Sequence, residues 1–220
     1  MSLIPLSRNG GIVPESLEAP RFRRKQDDIP ATVFITTESL VVEELIALWS
    51  KVALTPAEAL VLKALQFIDH DIERIAALPS TQSYYAPATR GGFMIKRRGY
   101  EMPIPIGSMG DGMWRMLAMA VSITQCQNGF LLIDEIDTGL HYSVMSSMWR
   151  LIFSAAKEFN VQVFATTHSY DCVYSLAHIC GEADKDNPVT VQRIETGRVK
   201  AIPFDNDEIK VAADREIEVR

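Results

Sequence analysis

The sequence predicts an α/β protein: a parallel β-sheet with flanking helices, and a β-hairpin toward the C-terminus. Three observations carry this. Phe130-Leu131-Leu132-Ile133 is a short apolar run entered through Asn128-Gly129, the pattern of a strand buried on both faces. Val161 to Thr167 follows a helical stretch from Tyr142 to Phe159 and reads as another buried strand. Strand, helix and strand with short connections form a βαβ unit, which predicts two parallel strands and a right-handed crossover.

The other elements follow in chain order. Residues 1–30 are rich in Pro, Arg, Ser and Gly, and Arg21, Arg23, Arg24 and Lys25 form a basic cluster. Without a period, this segment reads as a solvated arm. Ala31 to Thr36 has the composition of a short strand. A helix is expected over 39–50, with Leu45, Leu48 and Trp49 available to pack. A second helix has Thr55 as N-cap, Pro56 in the first turn and Glu58 three residues after the cap. Its stripe of Leu62, Leu65, Ile68, Ile72 and Ile75 carries it to Pro79, with His70 on the polar side. Ser80 to Thr89 reads as loop, Gly92 to Lys96 as a strand, and Met102 to Ile106, with two prolines, as an edge segment.

Ser108-Met109-Gly110-Asp111-Gly112 opens a helical run to about Gln125, with Met109, Met113, Met116, Leu117, Ala120 and Ile123 inward. The helix over 142–159 buries Val144, Met148, Leu151, Ile152 and Ala155. Tyr170 to Ile179 is a short helix. Val189 to Glu195 and Arg198 to Phe204 alternate around Thr196-Gly197 as a hairpin, and one last helix falls in the charged tail. The organisation is an N-terminal arm and strand (1–35), a helical segment and linker (36–105), and a C-terminal lobe (106–220).

Composition narrows the function. The 220 residues are 47% hydrophobic and 23% charged, which suits a globular domain. A net charge of −6 argues against a broad basic face for duplex DNA. Cys126, Cys172 and Cys180 are odd in number and lack metal-type spacing, so they read as reduced thiols of a cytoplasmic protein. No apolar run approaches the roughly 18 residues that span a bilayer.

The polar residues at the strand ends carry the chemistry. Asp134 and Glu135 follow the central apolar run, where open α/β sheets place ligands. His168 ends the neighbouring parallel strand, so the topology gathers all three at one sheet edge. Adjacent carboxylates are costly to bury without a cation or a shared proton, which suits Asp134 near Mg²⁺ and Glu135 as a base for water. The helix start at Ser108 to Gly112 leaves backbone N–H groups for a phosphate.

Four pieces of this sequence resemble the ABC-type ATPases, above all the soluble branch of SMC, RecF, OLD-like and bacterial "AAA" ATP-binding proteins. Ser108-Met109-Gly110-Asp111-Gly112 resembles the signature motif. Phe130 to Glu135 resembles Walker B with its catalytic glutamate, Asp137-Thr138-Gly139-Leu140-His141 the D-loop, and Thr166-Thr167-His168-Ser169 the switch-histidine loop. The helical pair at 39–78 is similar to the segment preceding the signature. The resemblance implies a partial P-loop NTPase fold that uses ATP and Mg²⁺. It implies that Asp134 holds Mg²⁺ through water, that Glu135 activates water, and that His168 contacts the γ-phosphate. Asp137 would link two sites across a dimer, while Ser108 and Gly110 would bind the γ-phosphate of a nucleotide held by the partner chain.

One departure is clear. The family's Gly-x-x-x-x-Gly-Lys-Ser/Thr loop has no counterpart, because the sequence contains no Gly-Lys pair. The expectation is the C-terminal half of such an ATPase, a homodimer or the partner of a chain carrying the loop. Alternatives are a shortened gene product, a non-catalytic regulatory or scaffold remnant, and a metal-dependent nuclease using Asp134, Glu135, Asp137, His141 and His168. DNA is a partner by family analogy only, without support from charge.

Overall fold

A computed structural model describes residues 30–78, 92–182 and 189–215. Its elements are β1 (Thr32–Ile35), α1 (Val42–Val52), α2 (Ala57–Gln66), β2 (Ile72–Ala77), β3 (Phe93–Arg97) and β4 (Ile104–Pro105), followed by a 3-10 turn (Ile106–Met109). Then come α3 (Asp111–Thr124), β5 (Phe130–Ile133), α4 (Tyr142–Phe159), β6 (Gln162–Ala165), α5 (Tyr170–Glu182), β7 (Val191–Arg193), β8 (Ile202–Phe204) and α6 (Asn206–Asp214). All belong to one unit, Ala31–Arg220. The basic cluster at 21–25 and the loop at 80–89 lie outside the described residues.

The class is α/β, as expected. The central sheet has the order β1-β5-β6, and both pairings are parallel. Ile35, Leu131 and Ile133 are buried on one face. The opposite face carries Phe34, Leu132 and Phe164 in register across all three strands. Phe34 and Phe164 there are 56% and 51% exposed. The expectation that the second strand of the βαβ unit is buried is therefore corrected: among the described residues β6 is an edge strand, in which only Val163 is half-buried. Gly129 sets the entry to β5. A Cβ there would lie 1.9 Å from the Ala31 carbonyl oxygen, which instead accepts from Phe130 N at 2.8 Å.

The second helix is shorter than expected. α2 stops at Gln66, and Ile72 and Ile75 belong to strand β2. The last turn tightens through bonds from Phe67 N to Ala64 O and from Ile68 N to Leu65 O, and Asp69 Oδ1 then accepts from Asp71 N at 3.0 Å. The helical spacing of Ile72 and Ile75 has another origin. The β2–β3 register shifts between Ile72 and Arg74, and this irregularity lets residues three apart both face the core. Thr55 does not cap α2 with its side chain. Its hydroxyl donates to Val52 O, and Glu58 Oε2 accepts from Leu54 N. α1 starts at Val42, not near Ser39, because Ser39 holds a left-handed φ of 68°.

α3 is the hub of the helical layer. It packs against α1, α2, α4 and β1, and every residue from Met113 to Ile123 is buried. The run expected to begin at Ser108 is broken at Gly110, whose φ of 91° separates the 3-10 turn from α3. α4 matches its expected limits, with His141 as N-cap and Asn160 in the left-handed conformation at its end. The C-terminal hairpin pairs β7 with β8 and turns at Thr196-Gly197 as expected, with Arg198 N donating to Glu195 O at 3.2 Å and Gly197 at a φ of 86°, but its ladder is shorter than expected. The paired strands are three residues each, and Glu195 between them forms ion pairs with Arg193 and Arg198. α6 opens on a capping box of Asp205 and Glu208.

Candidate functional site at the carboxyl edge of the parallel sheet

Ile133 and Ala165 are in register at the ends of β5 and β6. The chain after each strand therefore leaves at the same edge, and Asp134, Glu135 and Asp137 face the segment Thr166 to Ser169. The threonines make the connection. Thr166 Oγ1 donates to Asp134 Oδ1 at 2.7 Å and accepts from Glu135 N at 2.8 Å. Thr167 Oγ1 donates to Asp137 Oδ1 at 2.5 Å and accepts from Ser169 N at 3.0 Å. Ile136 N donates to Thr166 O, and Thr166 N to Ile133 O, both at 2.9 Å. The two acids are thus oriented from the neighbouring strand end.

Glu135 has a left-handed φ of 44°, a strained conformation for a side chain of this kind. Its Oε2 accepts from Thr138 Oγ1 at 3.0 Å. Such strain persists only where surrounding bonds fix it, and here they come from Thr166, Thr138 and Arg115.

Arg115 lies beneath the acids and is 2% exposed. Its Nη2 donates to the carbonyls of Asp134 at 2.6 Å and Glu135 at 3.0 Å, and its Nη1 to Thr36 O. Burial pulls its pKa below the ordinary value, while the charges of Asp137, Asp134 and Glu135 pull it back up.

Ser108 is exposed, and its hydroxyl donates to Pro105 O at 2.7 Å; it does not cap α3. Gly110 is the N-cap residue, and α3 has no side-chain cap. The first turn of α3 abuts the loop after β5: a Cβ on Gly112 would lie 2.9 Å from Gly139 O, and one on Gly139 would lie 3.3 Å from Asp111 Cβ. The predicted signature and D-loop residues are therefore neighbours. His168 is exposed, just beyond the threonine pair. His141 is drawn elsewhere, since its Nδ1 caps α4 at Ser143 and its ring lies on Tyr142 with centroids 4.3 Å apart.

Among the described residues, no three of His, Cys, Asp and Glu converge as a metal-binding group. Asp134 beside a threonine hydroxyl fits the protein's share of a Mg²⁺ site, because Mg²⁺ keeps several waters and takes one or two carboxylates plus substrate phosphate. The cysteines are free and buried, and burial pushes the Cys172 thiol up to about 12.

Residues 17–171 match the family described as "AAA domain, putative AbiEii toxin, Type IV TA system". The chain belongs to this family. The AAA domain is 25% identical over 134 residues to an ATP/GTP phosphatase of Helicobacter pylori, covering 54% of this chain and 36% of that protein. It therefore spans about a third of that relative's length. It is 31% identical over 86 residues to an uncharacterised protein, MJECL11, of Methanocaldococcus jannaschii, covering 39% of this chain and 75% of that protein. Among solved structures, one described in terms of ATP-driven dimerization and DNA-stimulated activation of SMC ATPases aligns with a TM-score of 0.48 at 13% identity, over 82% of this chain and 99% of that one.

Sequence reading passed over the bonding roles of Thr166, Thr167 and Arg115 in this AAA domain. Arg115 had a signal: it is the one charged residue of α3 beyond its first position, Asp111. The threonines had none beyond their place beside His168. Among the described residues, no helix is long and apolar enough to cross a membrane.

Proposed function

We propose that the chain supplies the acid cluster and signature turn of an ATP-hydrolysing site, completed by a phosphate-binding loop from elsewhere. The observation that carries this is the Thr166 hydroxyl, which fixes both the Asp134 carboxylate and the Glu135 backbone at the carboxyl end of the central strand. Phosphoryl transfer depends on positioned charge more than on covalent chemistry, and this arrangement supplies positioned carboxylates.

In this reading Asp134 holds Mg²⁺ through water, Glu135 orients and deprotonates the attacking water, and His168 contacts the γ-phosphate. Bound Mg²⁺ supplies neutralising charge on the phosphates. Ser108, Gly110 and the uncapped start of α3 face the γ-phosphate of a nucleotide held by the partner, and Asp137 lies at the junction of the two chains. The assembly is a homodimer or a pair with a loop-bearing chain. Residues 106–220 form the nucleotide-facing lobe, and 36–105 the segment that carries α1, α2 and strands β2 to β4.

The test is ATP turnover by an equimolar mixture of this chain with a family ATPase that carries the Gly-x-x-x-x-Gly-Lys-Ser/Thr loop. A gain over the relative alone that disappears with Glu135→Gln supports the reading. No gain with the wild-type chain overturns it and leaves a non-catalytic regulatory or scaffold role.

A further inference from the structure

We infer that Arg115 is a positioning residue that ties the start of α3 to the backbone of Glu135, so that a phosphate seated at that helix end sets the geometry of the carboxylate. The inference rests on the proposed ATP-hydrolysing role and names how the two halves of that site communicate.

The argument begins with cost. Arg115 is the one buried charged residue among those described, and its Nε lacks a hydrogen-bond partner. A buried, incompletely satisfied cation is a poor stabiliser, and an apolar side chain of similar volume usually does as well or better. The guanidinium is instead placed where its fork is needed. One arm holds Asp134 O and Glu135 O together, and the other holds Thr36 O at the end of β1. A lysine has the charge without the fork.

The second part is mechanical. Arg115 sits one helical turn after Asp111, on the same rigid element as the proposed phosphate seat. The helix is fastened to the acid-bearing segment at two places, the Arg115 fork and the Gly112–Gly139 contact. A shift of α3 therefore carries the Asp134 and Glu135 carbonyls with it. Glu135 is already in a strained left-handed conformation, so a small displacement of its carbonyl reorients its side chain.

The test has two arms, using Arg115→Lys and Arg115→Met in the full chain. In the first, amide hydrogen exchange is followed in the isolated chain. The expected result is exchange about tenfold faster at Ile136 and Thr138, with the amides of 117–123 still protected. Unchanged exchange at 136 and 138 overturns the inference. So does a uniform loss of protection in both variants, which marks a purely structural residue. In the second, the variants replace wild type in the mixture with the loop-bearing ATPase. The expected result is a kcat lower by roughly tenfold with KM within about twofold. A higher KM with kcat maintained overturns the relay. If the wild-type mixture shows no turnover, the ATPase reading fails and the relay with it, and the exchange arm reports separately on the backbone clamp.

Discussion

Gly112 and Gly139 meet at a distance that leaves no room for a side chain. A Cβ on Gly112 would approach the Gly139 carbonyl oxygen to 2.9 Å. The obstacle is backbone, so it cannot rotate away. Gly112→Ala is expected to destabilise the domain by about 1–3 kcal/mol, as overpacking does. At about 2–4 °C per kcal/mol for a domain of this size, a thermal melt resolves it. An unchanged melting temperature would show that the first turn of α3 and the loop after β5 do not pack as described.

Thr166 separates positioning from stability. It is exposed, so Thr166→Val should change unfolding free energy by less than about 1 kcal/mol. The same variant removes the donor to Asp134 and the acceptor for Glu135 N. Turnover in the complemented ATPase is expected to fall by about tenfold or more, with recovery in Thr166→Ser. Equal turnover for valine and wild type would remove the hydroxyl from the mechanism.

Glu135 is expected to trade stability for activity. A left-handed backbone costs an ordinary residue about 1–2 kcal/mol, and glycine adopts it freely. Glu135→Gly relieves that strain and loses the bond from Thr138. The net effect expected is stabilisation by up to about 1 kcal/mol, read from urea midpoints, together with loss of turnover. Destabilisation instead would mean that the side chain contributes more through its bonds than the backbone loses in strain.

Cys172 sets an alkaline limit. Its thiol is pushed up to about 12 by burial, whereas an unfolded thiol ionises near about 8.5. Above about 8.5 the unfolded chain gives up a proton that the folded chain keeps, so stability falls as pH rises. The contribution is complete below that point and is lost toward about 12, at up to about 1.4 kcal/mol per pH unit. Urea midpoints at pH 8 and 10 should fall more steeply for wild type than for Cys172→Ala, and parallel slopes would contradict this.

The sequence was most legible where one physical pattern dominated. The apolar run before Asp134, the amphipathic α4 and the parallel pairing of β5 and β6 all followed from period and connection length. Reading failed where two patterns coincide. Ile72 and Ile75 are spaced like a helix face, and only a shifted strand register explains them as β structure. Exposure of β6 was illegible because edge and centre strands share the same apolar composition, and neighbours decide which is which. At the site, charged residues announced themselves. The hydroxyls that orient them did not, since a threonine at a strand end is ordinary until its partner's position is known.

Thr166 and Thr167 are consecutive, yet their hydroxyls reach different acids, Asp134 and Asp137. One short stretch of backbone therefore sets the orientation of two carboxylates. In evolutionary terms the pair behaves as a single character. Losing one hydroxyl frees the stretch to shift and changes what its neighbour can hold, so the effects of the two substitutions should not add. Strong epistasis between adjacent positions, rather than intolerance at either, is the signature such a joint leaves on variants that retain function.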